Sequence, residues 1–299
     1  MMPPAIHTEE LTKCFGRVTA VDHINLEVPE GALYALVGQN GAGKTTAIKV
    51  LMNLISATQG SATVLGADSR EIRGKSYEQI GYVSENQEMP EWMKAGALLD
   101  YIRVFYPSWD CALEQSLVKQ FDLPLDRKIK ALSRGMKMKL ALACALAFHP
   151  RLIVLDEPFG GLDPLVRDQL IESLLERAGE STIFISSHDL AEIESFSSHV
   201  GYLESGKLIF SEEMSSLTTR FREVEVTTDS AQPLPSPLPS SWLQTKCSGA
   251  MVRFIESCFE EQTTSSEIHR LFPTAKEVQI RALSLRAIFL AMAKKSKEV

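Results

Sequence analysis

The sequence has no hydrophobic run long enough to cross a membrane. Its best apolar stretches, Leu140 to Phe148 and Ala282 to Ala293, fall far short of the ~20 residues that a spanning helix needs. Any work at a membrane is therefore expected to pass through another chain. A basic excess is missing too: the formal net charge is -7, opposite in sign to the footprint of a phosphate-backbone binder, so nucleic acid is not expected as a partner. The short basic stretches Arg127-Lys128-Ile129-Lys130 and Lys294-Lys295-Ser296-Lys297 read as solvated helix faces or ends. Cys14, Cys111, Cys144, Cys247 and Cys258 are odd in number and contain no C-x-x-C pair, which argues against a disulfide framework or a zinc site and for reduced thiols in a cytosolic protein. Near the N-terminus, where a signal peptide would place apolar residues, the chain has Glu9 and Glu10, and export is not expected. No internal repeat is visible.

What is present is a phosphate cradle. Gly38-Gln39-Asn40-Gly41-Ala42-Gly43-Lys44-Thr45 matches G-x-x-x-x-G-K-[ST] directly behind the apolar run Ala32 to Val37, the strand-loop-helix setting that this motif requires. Glycines let backbone N-H groups point inward in conformations that a Cβ forbids, and the following helix adds its positive end. Lys44 is expected at the β- and γ-phosphates of a nucleoside triphosphate, and Thr45 on Mg2+. Gly38, Asn40, Gly41, Ala42, Gly43, Lys44, Thr45 and Thr46 are the candidate nucleotide-binding residues of the loop.

Around this loop the pattern is that of a mainly parallel α/β core. Ile24 to Val28 alternates like a half-buried strand, whereas Leu33 to Val37, Leu152 to Leu155 and Thr182 to Ile185 are continuous apolar runs suited to strands covered on both faces. Helical spacing takes over from about Lys94 to Ala147, with Leu98, Leu99, Ile102 and Phe105 on one face and Leu113, Leu117, Val118 and Phe121 on another. That segment reads as a helical insertion. A hairpin over His199 to Phe210, turning at Ser205-Gly206, closes the core. Beyond Arg220 the composition shifts. Val224 to Thr227 alternates, Pro233 to Pro239 is too rich in proline for anything but loop, and strands at Met251 to Glu256 and Glu277 to Arg281 intersperse helices at Ser265 to Leu271 and from Ser284 to about Lys295. The expected fold is α/β: a P-loop NTPase core over 1–220, with the helical insertion at about 94–147, and a small C-terminal α+β domain over 221–299.

The run Leu152 to Leu155 ends in Asp156-Glu157. In a parallel sheet the carboxyl end of such a strand lies beside the phosphate loop. Asp156 is suited to hold Mg2+ through water, and Glu157 to polarise an attacking water.

With these residues in place the chain resembles the ATP-binding subunit of ATP-binding-cassette (ABC) transporters over roughly residues 5 to 210. Leu132-Ser133-Arg134-Gly135-Met136 stands where that family has its L-S-G-G-Q signature, Gly161-Leu162-Asp163 matches its D-loop, and His188 its switch histidine. Phe15 stands where the family stacks an aromatic on adenine, a reading preferred to that of a simple core aromatic. The resemblance implies ATP and Mg2+ as cofactors and a head-to-tail dimer with a second ATP-binding subunit, each nucleotide lying between one phosphate loop and the Ser133 and Gly135 of the other chain. It also implies separate integral membrane permease subunits that hold this chain at the cytoplasmic face. Two departures stand out: the first signature glycine is Arg134 and the glutamine is Met136, and the phosphate-sensing Gln expected after Ser84 is Glu85, with Gln87 two residues on. Glu85 is the candidate third metal-side residue, and the choice between Glu85 and Gln87 as sensor is open. His7, His23, His149, His199 and His269 have no comparable context and are read as structural.

Three classes compete. A soluble cassette ATPase acting on ribosomes or DNA would have tandem cassettes or coiled-coil heptads between Lys44 and Ser133, and neither is present. A small-molecule kinase or GTPase would not need Leu132-Ser133 or His188. A transport ATPase needs all of them. Asp163 to Arg167 and Ser284 to Leu290 resemble the exporter branch that moves drugs, antibiotics, lipids or polysaccharides, and within that class the small C-terminal domain is expected to serve dimer pairing or regulation.

Overall fold

Apolar runs covered on both faces become the centre of a parallel sheet. In the computed structural model, which describes residues 3–230 and 233–298, with side chains as far as residue 292, every residue of β4 (Leu33–Val37), β8 (Leu152–Asp156) and β9 (Thr182–Ser187) is buried. β7 (Ile80–Val83) and β10 (His199–Glu204) flank them, in the order β10-β4-β9-β8-β7, all parallel. β11 (Lys207–Glu213) follows β10 across the turn at Ser205 and Gly206, which take φ 50° and 84°, the left-handed pair that a two-residue hairpin turn favours.

A second sheet packs β1 (Ile6–Phe15) between β2 (Val18–Ile24) and β5 (Gln59–Val64), with β3 (Glu27–Val28) and β6 (Ala67–Asp68) at its margins. The single strand expected over Ile24 to Val28 is interrupted. Burial still alternates, with Ile24, Leu26 and Val28 inside, but pairing passes from Leu11↔Ile24 to Ile6↔Val28. Thr8 bridges the gap, its hydroxyl donating to Ile24 O at 2.8 Å and accepting from Leu26 N at 2.8 Å.

The helical segment holds α2 (Ala95–Arg103), α3 (Cys111–Gln120) and α4 (Arg134–Leu146). Leu98, Leu99, Leu113, Leu117 and Phe121 are buried against the largely buried α4. Phe105 is not: it lies beyond the end of α2, 57% exposed, edge-on to Tyr101. The basic stretch around Lys128 is exposed apart from buried Ile129, while the side chains of Lys294, Lys295, Ser296 and Lys297 lie outside the described residues.

The chain divides into two compact units, Met1–Ser211 and Glu212–Val299. The second contains α7 (Met214–Arg220), β12 (Arg222–Thr228), β13 (Trp242–Ser248), β14 (Met251–Glu256), α8 (Glu261–Leu271), β15 (Ala275–Ala282) and α9 (Leu285–Glu298). Its antiparallel sheet runs β13-β14-β12-β15. Val224, Val226, Phe254 and Ile268 form its core with Trp242, which stacks on Phe254 at 3.7 Å between ring centroids. The proline-rich stretch is loop over 233–239.

Candidate functional site

β4 delivers the chain to Gly38, and α1 (Lys44–Leu51) takes it away. The turn between them requires its glycines. A Cβ on Gly43 would lie 2.2 Å from Ala20 O, with φ at 109°, and one on Gly38 would lie 2.3 Å from Leu203 O. The β10-β11 turn supports the loop, Gly206 N donating to Ala42 O at 2.9 Å. Gly43 caps α1 without a side-chain bond, and the first turn of α1 carries no acid, so its end N-H groups and positive dipole end are left for an anion.

Ala20, Asn40, Gly41, Gly43, Lys44, Thr45, Thr46, Glu85 and Glu157 line one cavity. Gly38 and Ala42 shape the loop without lining it. Lys44 is 5% exposed. Its ammonium donates to Gly38 O at 2.6 Å and Gln39 O at 3.2 Å and lies 3.0 Å from Glu157 Oε1. That contact is out of line for a hydrogen bond, so Oε1 is a buried acceptor with none. The other oxygen, Oε2, pairs with His188 Nδ1 at 2.7 Å. β8 thus sets a carboxylate between the loop lysine and the histidine that follows β9. Its charge partner in the resting site is the Lys44 ammonium.

Thr45 Oγ1 donates to Asp156 Oδ1 at 3.0 Å, and Asp156 is 2% exposed. A hydroxyl and a carboxylate converging at the loop are the hard oxygen donors that Mg2+ accepts, with most of its shell left to phosphate and water. Among the described residues no group of three or more His, Cys, Asp or Glu side chains is placed to hold a metal ion. Burial first, then the Asp156 carboxylate, pushes the Tyr82 phenol up to about 12, so it stays neutral.

Glu85 lines this cavity, whereas Gln87 folds back to accept from Ser84 N at 3.1 Å and Ser84 Oγ at 3.2 Å. On its other side Glu85 lies 3.9 Å from Arg134 Nη2. The two departures from the family pattern therefore face each other, and the Arg134 guanidinium lies 2.8 Å from where a Cβ on Gly161 would stand.

Ser133, Gly135, Asp163 and Phe15 are also not among the residues that line this cavity. Ser133 caps α4, accepting from Met136 N at 3.2 Å, and Gly135 is packed so that a Cβ would meet Val166 Cγ1 at 3.2 Å. Asp163 caps α5 (Pro164–Leu175), accepting from Val166 N at 3.0 Å. Phe15 is 51% exposed, with the Lys13 ammonium 5.0 Å from its ring centroid, so it is no core aromatic.

One residue escaped the sequence reading. Ser186, fully buried on β9, donates to Asp156 Oδ1 at 2.7 Å and accepts from Glu157 N at 2.9 Å. Glu157 takes φ 50°, a left-handed conformation that costs a non-glycine residue about 1 kcal/mol or more. The available signal was a polar residue ending a strand that is otherwise apolar from Ile183 to Ile185.

Known proteins resemble this chain in sequence and in fold. The family model described as ABC transporter matches residues 21–160. The bacitracin transport ATP-binding protein BcrA of Enterococcus faecalis is 33% identical over 227 residues, covering 75% of this chain and 74% of that protein. The lantibiotic transport ATP-binding protein SrtF of Streptococcus pyogenes is 33% identical, covering 69% and 89%. Among solved structures, an ATP binding subunit of an ABC transporter superposes with a TM-score of 0.66 at 26% identity, covering 72% of this chain and 92% of that one. The fold is shared as well with a dimeric post-hydrolysis state of the ATP-binding cassette MJ0796 bound to ADP and Pi, at a TM-score of 0.63 and 21% identity, covering 70% and 98%.

Proposed function

The chain belongs to the ABC transporter family as an ATP-binding, ATP-hydrolysing subunit of exporter type, and from that premise we propose that it powers export of a drug- or antibiotic-like compound through a separate membrane permease. The observation that carries the reading is the cluster Lys44, Glu157 and His188, one cation and one histidine on the two oxygens of a single buried carboxylate. Lys44 leaves its loop carbonyls for the β- and γ-phosphates. Thr46, Asn40 and the loop N-H groups hold the remaining phosphate oxygens. Glu157 Oε1 accepts a hydrogen bond from the attacking water, and His188 keeps the carboxylate aimed. Thr45 and Asp156, with Glu85 beside them, would hold Mg2+, which would supply charge neutralisation for the phosphates.

Ser133, Gly135 and Asp163 sit at exposed helix starts of the same chain, a placement that suits donation to a nucleotide held by a second ATP-binding subunit. Phe15, exposed at the end of β1, is proposed to stack on adenine. The unit Glu212–Val299 carries no phosphate or metal motif, and we assign it to dimer pairing or regulation. Relatives that bear the names of bacitracin and lantibiotic transport support an antibiotic-like cargo. Among the described residues no helix is long and apolar enough to cross a membrane, so the chain is proposed to dock on a permease from the cytoplasmic side. Affinity purification from solubilised native membranes tests this. A polytopic protein recovered in near equal amount supports the proposal, and recovery of ribosomes or DNA-repair factors in its place overturns it.

A further inference from the structure

We propose that Ser186 is a positioning residue for hydrolysis, a single hydroxyl that sets both acids of the site. The strand β9 is buried along its whole length, and an apolar side chain at position 186 would fill its place without a polar atom to satisfy. A hydroxyl stands there with both of its roles used across the sheet. Ser186 lies opposite Asp156 in the β8-β9 register. Its one proton goes to Asp156 Oδ1 at 2.7 Å, the oxygen that also accepts from Thr45 Oγ1 at 3.0 Å, and its lone pair takes the Glu157 N-H at 2.9 Å.

That second bond matters because Glu157 lies one residue past the end of β8, beyond the ladder that would otherwise hold its N-H, and at φ 50°. A non-glycine residue keeps such a conformation only when its surroundings fix it. Without the Ser186 oxygen the N-H is left buried and unbonded, and the backbone can relax to the ordinary right-handed or extended regions. The carboxylate would then swing away from His188 and Lys44, the two groups that aim it. Ser186 is not among the residues that line the cavity and acts through Glu157 and Asp156. This inference rests on the reading of Glu157 as the group that polarises water.

The test uses the full chain and compares Ser186→Ala, Ser186→Thr, Glu157→Gln and Ser186→Ala with Glu157→Gln. Ser186→Ala should lower kcat roughly 100-fold, the scale of a reacting group displaced by about 1 Å, with KM for ATP within about threefold of the parent. A fluorescent ATP analogue without metal should bind Ser186→Ala as tightly as the parent, whereas the gain in its affinity on adding Mg2+ should shrink, because Asp156 has lost a fixed partner. Ser186→Thr, which keeps the hydroxyl, should recover most of the rate. In the Glu157→Gln background the added Ser186→Ala should cost far less rate than it does in the parent, because the part of its effect that passes through the Glu157 carboxylate is already gone. Should Ser186→Ala not fold, Ser186→Cys, close in volume and a poor hydrogen bonder, carries the same readouts. A Ser186→Ala chain that hydrolyses at the parent rate while Glu157→Gln is slow overturns the inference alone, as does a loss that multiplies with that of Glu157→Gln. If Glu157→Gln itself runs at the parent rate, it is the role of Glu157 that fails.

Discussion

Replacing Glu157 by glutamine should separate binding from hydrolysis in a direction that the resting geometry dictates. The amide fits the same space: its oxygen can face Lys44, and its NH2 can donate to His188 Nδ1, where Glu157 Oε2 now lies 2.7 Å away. What changes is charge. At 3.0 Å from the Lys44 ammonium, a carboxylate holds it by about 5 kcal/mol at an effective dielectric of ~20, and the phosphates must compete with that hold. Most of it is recovered by new contacts to phosphate, and a residual gain of about 1.4 kcal/mol would tighten ATP binding about tenfold. Hydrolysis should fall ~100-fold or more, the scale of a lost acid-base group. Titration with a fluorescent ATP analogue and a phosphate-release assay measure the two quantities. Turnover at the parent rate, or weaker binding in Glu157→Gln, would refute this account of the cluster.

Gly43→Ala should abolish nucleotide binding and lower the melting temperature, because its Cβ would stand 2.2 Å from Ala20 O at φ 109°; unchanged binding would show the loop to be more pliant than its backbone implies. Burial pushes the Cys144 thiol up to about 12, so a maleimide reagent at mildly alkaline pH should label exposed Cys111 and Cys258 rapidly and Cys144 only on unfolding, with mass spectrometry of the labelled peptides as the check. The Arg70 guanidinium holds the Asp68 carboxyl at about 2, below its ordinary 3.8. A carboxyl lowered in the folded state contributes stability that is complete above 3.8 and lost as pH falls towards about 2. The stability gap between parent and Asp68→Asn in denaturant titrations should therefore close over that range, and a gap that widens on acidification would reverse the sign.

Much of the site was legible because its parts are local. The loop from Gly38 to Thr45 is one contiguous motif, and the buried runs ending in Asp156 and in Ser186-Ser187-His188 are short and apolar, so their convergence follows from a parallel sheet alone. Partnership across strands was not legible. Ser186 looks like one serine of two until β9 is set in register against β8. The opposition of Glu85 and Arg134 joins residues far apart in sequence, and only the fold brings them to 3.9 Å. β1 escaped notice for a different reason: register shifts between Leu11 and Lys13 and between Lys13 and Cys14 break the period of two on which strand recognition depends. Phe105 was misplaced because helical spacing was extended past Arg103, where α2 stops.

A site completed by a second subunit is put to the test by mixing two inactive chains. Lys44→Ala removes the phosphate lysine and leaves Ser133 and Gly135 intact, while Ser133→Arg blocks the exposed start of α4 and leaves the loop intact. Each variant alone should hydrolyse ATP far below the parent. In an equimolar mixture, half of the dimers would pair one of each, with one of two sites whole, so activity should return to about one quarter of the parent. Hydrolysis at the parent rate by Ser133→Arg alone, or a mixture no more active than its components, would contradict a nucleotide site shared between chains.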